Sequence, residues 1–506
     1  MVPATDDQEH VLVSTRPAAV VVLAAGEGTR MKSATPKVLH QLGGRSLIGH
    51  AVAAAAELEP EHLTVVVGHG RDQVTAHLAE LAPKVTTAVQ EQQLGTGHAV
   101  RCALEDLPAM DGVVVVTYGD VPLLTADTLR ELVDLHIADD NGVTVLTASL
   151  DDPKQYGRIV RDADGGVLGI VEHKDATDDV LRINEINSGI YAFDAAVLRD
   201  GLARLTTHNA QGELYLTDVL GIARENGRRV GAVQTSDVWQ TEGVNDRVQL
   251  AELGGELNRR VLDRWMRGGV TVVDPAAVWV DVTVELARDV VLRPGVQLHG
   301  QTHVAAGAEL GPDTTLTDCQ VGERATVVRT HATSAEIGPE AVVGPYTYLR
   351  PGARLGPRAK AGAHVEIKAS TLGEGAKVPH LSYVGDADIG AGANIGAATV
   401  VVNYDGVAKH RTVVGDHARV GSDTMLVAPV NVGDGAYTAA GSVITDDVPP
   451  GAIGVARGRQ RNIEGWVERK RPGTPAAEAA RRAQARHTGD EQTDAGSEAG
   501  DEGSGQ

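Results

Sequence analysis

Between Ile337 and Ile444 the hydrophobic positions recur every six residues. Ile337, Val343, Leu349, Leu355, Ala361 and Ile367 keep that spacing, and after steps of five it resumes at Leu372 and again at Ile389. Two positions before each stands something small or β-branched, from Ala335 and Ala341 to Val430 and Ser442, and glycine often follows the aliphatic residue. A helix needs a period of 3.6 and an ordinary strand a period of two, so a sustained six predicts short strands and turns wound into a parallel β-helix. The aliphatic residue then points inward, the residue two before it fills the corner, and the neighbours of the aliphatic point out. Any chemistry must sit on outward or corner positions. A narrow prism holds few rings, in keeping with an aromatic content of 3% and a single Phe.

Upstream the pattern changes. Ala18–Leu23 is a solid apolar run, echoed by Leu63–Val67, Val113–Thr117 and Val143–Ala148, with helical spacing over Leu47–Leu58, Val74–Leu81 and Thr125–Ala138. This alternation predicts a doubly wound, mostly parallel sheet, a Rossmann-like α/β domain over residues 18–247. Leu250, Leu253, Leu257, Val261 and Trp265 form one apolar stripe, predicting a linker helix over 248–269 whose stripe is for packing. The period of six starts imperfectly at Val278, Val284, Val290 and Val296 and is well kept from Leu310, so the β-helix domain spans 270–456. Residues 457–471 read as a C-terminal arm. From Pro472 to Gln506 there is no large apolar residue, which predicts a disordered tail, and residues 1–17 read as a flexible extension.

At 506 residues the chain calls for two or three domains. Its 46 Lys and Arg against 68 Asp and Glu, a net charge of -22, exclude a general nucleic-acid binder. The two cysteines, Cys102 and Cys319, give neither a disulfide framework nor a zinc pattern. Acids rather than bases near the N-terminus, and no apolar run approaching the roughly 20 residues that span a bilayer, predict a cytoplasmic protein without a membrane partner.

The first apolar run ends in Leu23-Ala24-Ala25-Gly26-Glu27-Gly28-Thr29-Arg30-Met31, with Pro36-Lys37 beyond it. A buried strand feeding a glycine-rich loop lets backbone N–H groups approach a phosphate. Met31 stands where a dinucleotide fingerprint needs its third glycine, and no Walker lysine follows Gly28, so the common nucleotide motifs fail. Tyr118-Gly119-Asp120 follows four consecutive valines, at a strand end where an open sheet presents a carboxylate to a metal or ribose. Taken singly, such an aspartate is as often a turn residue. On the coil, Arg350, Glu366, Lys368, His380, Tyr383 and Asn394 take outward or corner positions. The step of thirteen from Val401 to Val414, one more than two repeats need, carries Asn403-Tyr404-Asp405-Gly406 and predicts a projection. A lone histidine on such a coil is more often a solvated turn residue than a base.

The context outweighs these bland readings. LAAGEGTRM followed by PK resembles the nucleotidyltransferase loop of sugar-nucleotide pyrophosphorylases, and Gln90, Gly95, Thr96, Gly157, Glu172, Asn187 and Asn245 recur in that family's order. The period of six resembles the left-handed hexapeptide β-helix of acyltransferases, which are trimers with acyl-CoA sites between subunits. With HLSYVGDADIGAGANIGAATVVVNYDG, residues Val20 to Trp466 resemble the family of bifunctional bacterial enzymes that acetylate glucosamine-1-phosphate and uridylylate the product for peptidoglycan synthesis.

That resemblance implies that Leu23, Ala24, Ala25, Gly26, Lys37, Gln90, Gly95 and Thr96 hold UTP, and that Tyr118, Gly119, Gly157, Glu172 and Asn187 surround the nucleotide sugar. Asp120 and Asn245 would bind Mg2+, with Arg30 and Lys37 as catalytic cations. Arg350 and Lys368 would hold the sugar phosphate of the second reaction, with Tyr383 and Asn394 completing the pocket and His380 as base. Ala397, Asn403, Tyr404, Ser422, Ala440 and Arg457 would line the acetyl-CoA path. Ala398 departs from the family's glycine, and Trp466 would reach a neighbouring subunit's CoA. The implied partners are UTP, glucosamine-1-phosphate, N-acetylglucosamine-1-phosphate, acetyl-CoA and two further copies in a homotrimer. Two rivals stand beside this reading: a monofunctional pyrophosphorylase whose β-helix only oligomerises, and a scaffold or zinc-dependent β-helix hydratase. His364, His380, His410 and His417 form no evident zinc set for the latter.

Overall fold

A computed structural model describes residues 16–494. The N-terminal half is built on a nine-stranded sheet. Its main path runs Arg229–Gln234, Asn141–Ser149, Glu185–Asp194, Val113–Tyr118, Ala19–Ala24, His62–Val67, Thr86–Val89. All neighbours on the path are parallel except Glu185–Asp194, which is antiparallel on both sides. Helices cover both faces, so strands such as Ala19–Ala24 are buried along their whole length, the reason they read as unbroken apolar runs. Residues 1–15, most of the expected extension, lie outside the described residues; Arg16 already donates to the carbonyls of Glu59 and Pro60.

The helix Arg247–Arg267 joins the halves. Asp246 caps it by accepting from the amides of Val248 and Gln249, both at 2.9 Å. Its stripe does pack: Leu253 belongs to one apolar cluster with Met31 and Leu123, while Val261 and Leu262 join the β-helix core.

From Thr271 to Gly454 the chain winds into three parallel sheets of eleven, ten and nine strands, which we call the first, second and third faces in the order the chain first meets them. One continuous core fills the prism, and the corner residues Ala335, Ala341, Ala353 and Ala359 are almost wholly buried beside the inward aliphatics. At several Ser and Thr corners the hydroxyl donates to a nearby turn carbonyl: Ser370 to Lys368 at 2.8 Å, Ser382 to His380 at 2.7 Å and Thr424 to Gly421 at 2.7 Å. This satisfies a carbonyl that would otherwise be desolvated. The residue before the corner repeatedly adopts positive φ, as in Ala369 at 45° and Ala398 at 60°. A glycine would meet the conformation of Ala398 without the Cβ strain.

Three features differ from the sequence reading. The period of six is regular from Val280 through Leu286, Leu292 and Leu298, which lie on the strands; Val278, Val284, Val290 and Val296 are the buried corner residues two places earlier. Valines in both positions hid the phase. The interruption after Val401 skips no face: Val400–Val402 lies on the second face and Thr412–Val414 on the third, so the insert is one enlarged corner. Pro475–Asp494, expected to lack structure, is helical, because alanine and arginine carry high helix propensity even with little apolar area to bury; residues 495–506 lie outside the described residues.

Candidate active sites

Two cavities open at the strand ends of the N-terminal sheet. One, of 320 Å³, is lined by Leu23, Ala24, Ala25, Gly26, Lys37, Gln90, Gly95 and Thr96, together with Gln93. The other, of 290 Å³, holds Gly157, Glu172, Asn187 and Asn245, with Tyr156 and Tyr215. Thr96, Tyr118, Asp120 and Glu213 line both, so the two cavities share a wall at Asp120.

The local fold explains the placement. Gly28 brackets the loop at φ 64°, and a Cβ there would meet Lys37 Cβ, so the glycine lets the lysine stem pass. Lys37 pairs with Asp120, both side chains largely enclosed. Arg30 donates to Asn245 Oδ1 at 2.8 Å, bringing together residues far apart in sequence. The strand Glu185–Asp194 shifts register between Asn187 and Tyr191. Gly189 sits in that shift at φ 82°, where a Cβ would strike the Tyr118 ring. Asn187 Oδ1 then accepts from the Gly189 amide and the Tyr191 hydroxyl, each at 2.9 Å. Burial pushes the Glu172 carboxyl up, with Asp175 and Asp218 adding to it, and burial likewise pushes the Tyr118 phenol up. Gln93, whose amide donates to Ala25 O at 2.7 Å, was missed in the sequence although it stands inside the glycine-rich QEQQLGTG string.

On the β-helix the register aligns what the sequence scatters. His380, Ala397, Ser422 and Ala440 each lie two residues after the inward residue of a first-face strand, on successive coils. The backbone links them: the amide of Ala398 donates to His380 O, that of Asp423 to Ala397 O and that of Gly441 to Ser422 O. They form one line along the edge between the first and second faces, with Ala456 and Arg457 beyond it. At about 4.8 Å per coil the line from His380 to Ala440 is about 14 Å long. His380 is exposed there.

Arg350 and Lys368 stand on adjacent rungs of the second face, with Tyr383 opposite Glu366. Arg350 pairs with Glu366 at 2.9 Å, and that hydrogen bond holds its guanidinium pKa above the ordinary value. Lys368 pairs with Asp386 at 3.0 Å, and Asn403 donates to the same carboxylate. Burial pushes Asp386 up, but the bonds from Lys368 and Asn403 outweigh it and hold the carboxyl below its usual range. Asp386 was not singled out in the sequence; only its place two residues after an inward valine signals it. Asn394 lies apart from this group, on the first face between Lys377 and Arg419. Tyr404 is on the enlarged corner, its hydroxyl donating to Gly406 O at 2.7 Å. Trp466 opens a short helix, Trp466–Lys470, under the Arg471 guanidinium.

A family model for MobA-like NTP transferase domains matches residues 20–168. The protein called Bifunctional protein GlmU from Streptomyces coelicolor is 64% identical over 92% of this chain and 97% of its own length. Proteins of the same name from Kineococcus radiotolerans and Corynebacterium efficiens are 61% and 59% identical, over 94% and 92% of this chain and 96% and 97% of their own.

Proposed function

The chain belongs to the family of bifunctional GlmU proteins, and from that premise we propose which of its residues carry each of the two transfers. The enzyme acetylates glucosamine-1-phosphate with acetyl-CoA, then transfers UMP from UTP to N-acetylglucosamine-1-phosphate with Mg2+, giving UDP-N-acetylglucosamine and diphosphate. The observation that carries the residue assignment is the wall shared at Asp120. One cavity takes the nucleotide, the other takes the sugar phosphate, and the two reactants meet at Asp120 and Lys37.

Asp120 and Asn245 would hold Mg2+. Both offer hard oxygen atoms, and both already face a cation, Lys37 and Arg30 respectively. Among the described residues no group of three or more His, Cys, Asp or Glu could hold a metal, so substrate phosphates complete the ligand set, as is usual for Mg2+. When bound, the ion supplies charge neutralisation at the phosphates. Arg30 and Lys37 neutralise what charge remains and orient the triphosphate for in-line attack by the sugar phosphate. Gln90 holds the base, while Gly157, Glu172 and Asn187 hold the sugar.

For acetyl transfer, Arg350 and Lys368 hold the phosphate and Tyr383 borders the sugar. His380 takes a proton from the sugar amine as it attacks the thioester carbonyl, and CoA leaves along the edge past Ala397, Ser422, Ala440 and Arg457. Asn403 and Tyr404, expected beside that path, stand instead on the edge between the second and third faces, where Asn403 bonds Asp386, and would border a CoA only where another coil of the trimer brings its path against that edge. Asn394, a face away, completes a pocket only if another coil of the trimer brings its first face against this second face. On the same reading the enzyme works in the cytoplasm, where UTP and acetyl-CoA are found; no helix among the described residues is long and apolar enough to cross a membrane.

The test is an assay of the whole chain with glucosamine-1-phosphate, acetyl-CoA, UTP and Mg2+, alongside a fragment ending at Arg267. The whole chain should release thiol and form UDP-N-acetylglucosamine; the fragment should keep only uridylyl transfer from supplied N-acetylglucosamine-1-phosphate. A folded fragment without uridylyl transfer defeats the division of labour.

A further inference from the structure

Gln90 is 5% exposed yet lines the nucleotide cavity, and its amide is held from behind. Its Nε2 lies 3.1 Å from Gly95 O and 3.1 Å from His98 Nδ1. A carbonyl oxygen only accepts, so the atom beside Gly95 O must be the NH2 group, and this fixes which way the amide faces. The second N–H of that group then points at His98 Nδ1, which must offer a lone pair. His98 must therefore carry its proton on Nε2, which lies 3.7 Å from Cys102 Sγ, one turn further along the helix Thr96–Glu105. Burial pushes the Cys102 thiol pKa up, so the sulfur stays a neutral partner able to accept that N–H. With both amide hydrogens engaged, Gln90 Oε1 has no partner among the described residues and is the end left for a ligand.

We propose that His98 is a positioning residue for base selection: backed by Cys102, it locks the Gln90 amide so that an acceptor oxygen, never a donor, meets the pyrimidine. A uracil ring carries a donor at N3–H and suits that oxygen. A cytosine ring presents a bare N3 acceptor, which would face a second acceptor with no proton between them. Rejecting a base by an unpaired buried polar group is far stronger than rejecting it by shape. The inference rests on the nucleotide reading of this cavity.

The experiment measures kcat and KM of the whole chain with UTP and with CTP for wild type, His98→Leu and His98→Asn, and tests N3-methyl-UTP on the wild type. Loss of one neutral hydrogen bond is worth about tenfold. His98→Leu should thus raise KM for UTP about tenfold, leave kcat within about twofold, and cut the preference for UTP over CTP by at least that factor. Asparagine places an oxygen acceptor near the position of Nδ1, so His98→Asn should restore the preference. N3-methyl-UTP should be a poor substrate of the wild type, a readout that needs no variant to fold. An unchanged preference in His98→Leu, an asparagine variant no better than leucine, or wild-type turnover of N3-methyl-UTP within about threefold of UTP would overturn the proposal. A wild type inactive with UTP defeats instead the nucleotide reading on which it rests.

Discussion

Replacing Asp120 by alanine separates the two sites most sharply. The carboxylate and its partner Lys37 have side-chain exposures of 17% and 14%, between a surface pair worth 0 to about 1 kcal/mol and a buried one whose breaking costs about 3 to 5. Losing the pair in the unliganded protein should therefore cost about 1 to 2 kcal/mol, with Lys37 left half solvated through the open cavities. In a domain of this size that lowers the melting temperature by a few degrees, short of unfolding it. The catalytic loss should be larger, because the same carboxylate is the charged ligand proposed for Mg2+ at the meeting point of both cavities. Losing about 4 kcal/mol of transition-state stabilisation is roughly a thousandfold in rate. Uridylyl transfer should fall by that order, and Mg2+ with UTP should no longer raise the melting temperature as it does for wild type. Thiol release from acetyl-CoA, at an edge of a different domain, should stay within about twofold. A folded variant that loses both activities equally, or keeps uridylyl transfer within about tenfold, would show that Asp120 is a structural partner of Lys37 and nothing more.

Three further outcomes follow from the same geometry. His380→Ala removes an exposed ring from a coil edge, so stability should change by no more than about 0.5 kcal/mol while acetyl transfer slows by about 100- to 10,000-fold; a variant within about threefold of wild type would make Glu366 the next candidate base. Sedimentation should give a trimer, since Asn394 is a face away from Lys368 and Tyr383, and a fully active monomer would rule this out. His136 is buried, bonded to Thr144 at 3.0 Å, and burial pushes its pKa down to about 4. The unfolded chain, with an ordinary histidine near 6.5, binds the proton first as pH falls, so stability is lost between about 6.5 and 4, by about 3 kcal/mol from this group. Melting curves of His136→Gln should show a smaller loss over that range than wild type, and parallel curves would refute it.

The sequence alone determined both architectures, because each is written in local sterics. Buried parallel strands need unbroken apolar runs, and a three-faced coil needs an aliphatic every six residues with something small two places earlier. The glycine-rich loop and the chemistry-bearing residue types were legible for the same reason. The phase of the first coils was not: Val278 and Val280 are both buried, and only strand pairing tells corner from wall. Tertiary structure also decided which outward residues are neighbours. Register alone sets His380, Ala397, Ser422 and Ala440 on one edge, puts Asn394 on the first face, away from Lys368 and Tyr383 on the second, and makes Asp386 the shared partner of Lys368 and Asn403. It also brings Arg30 to Asn245 and orients Gln90 through His98. Periodicity fixes which way a side chain points relative to its own strand, whereas its partner across the ladder depends on every insertion between the two rungs, so such contacts exist only once the coil has closed.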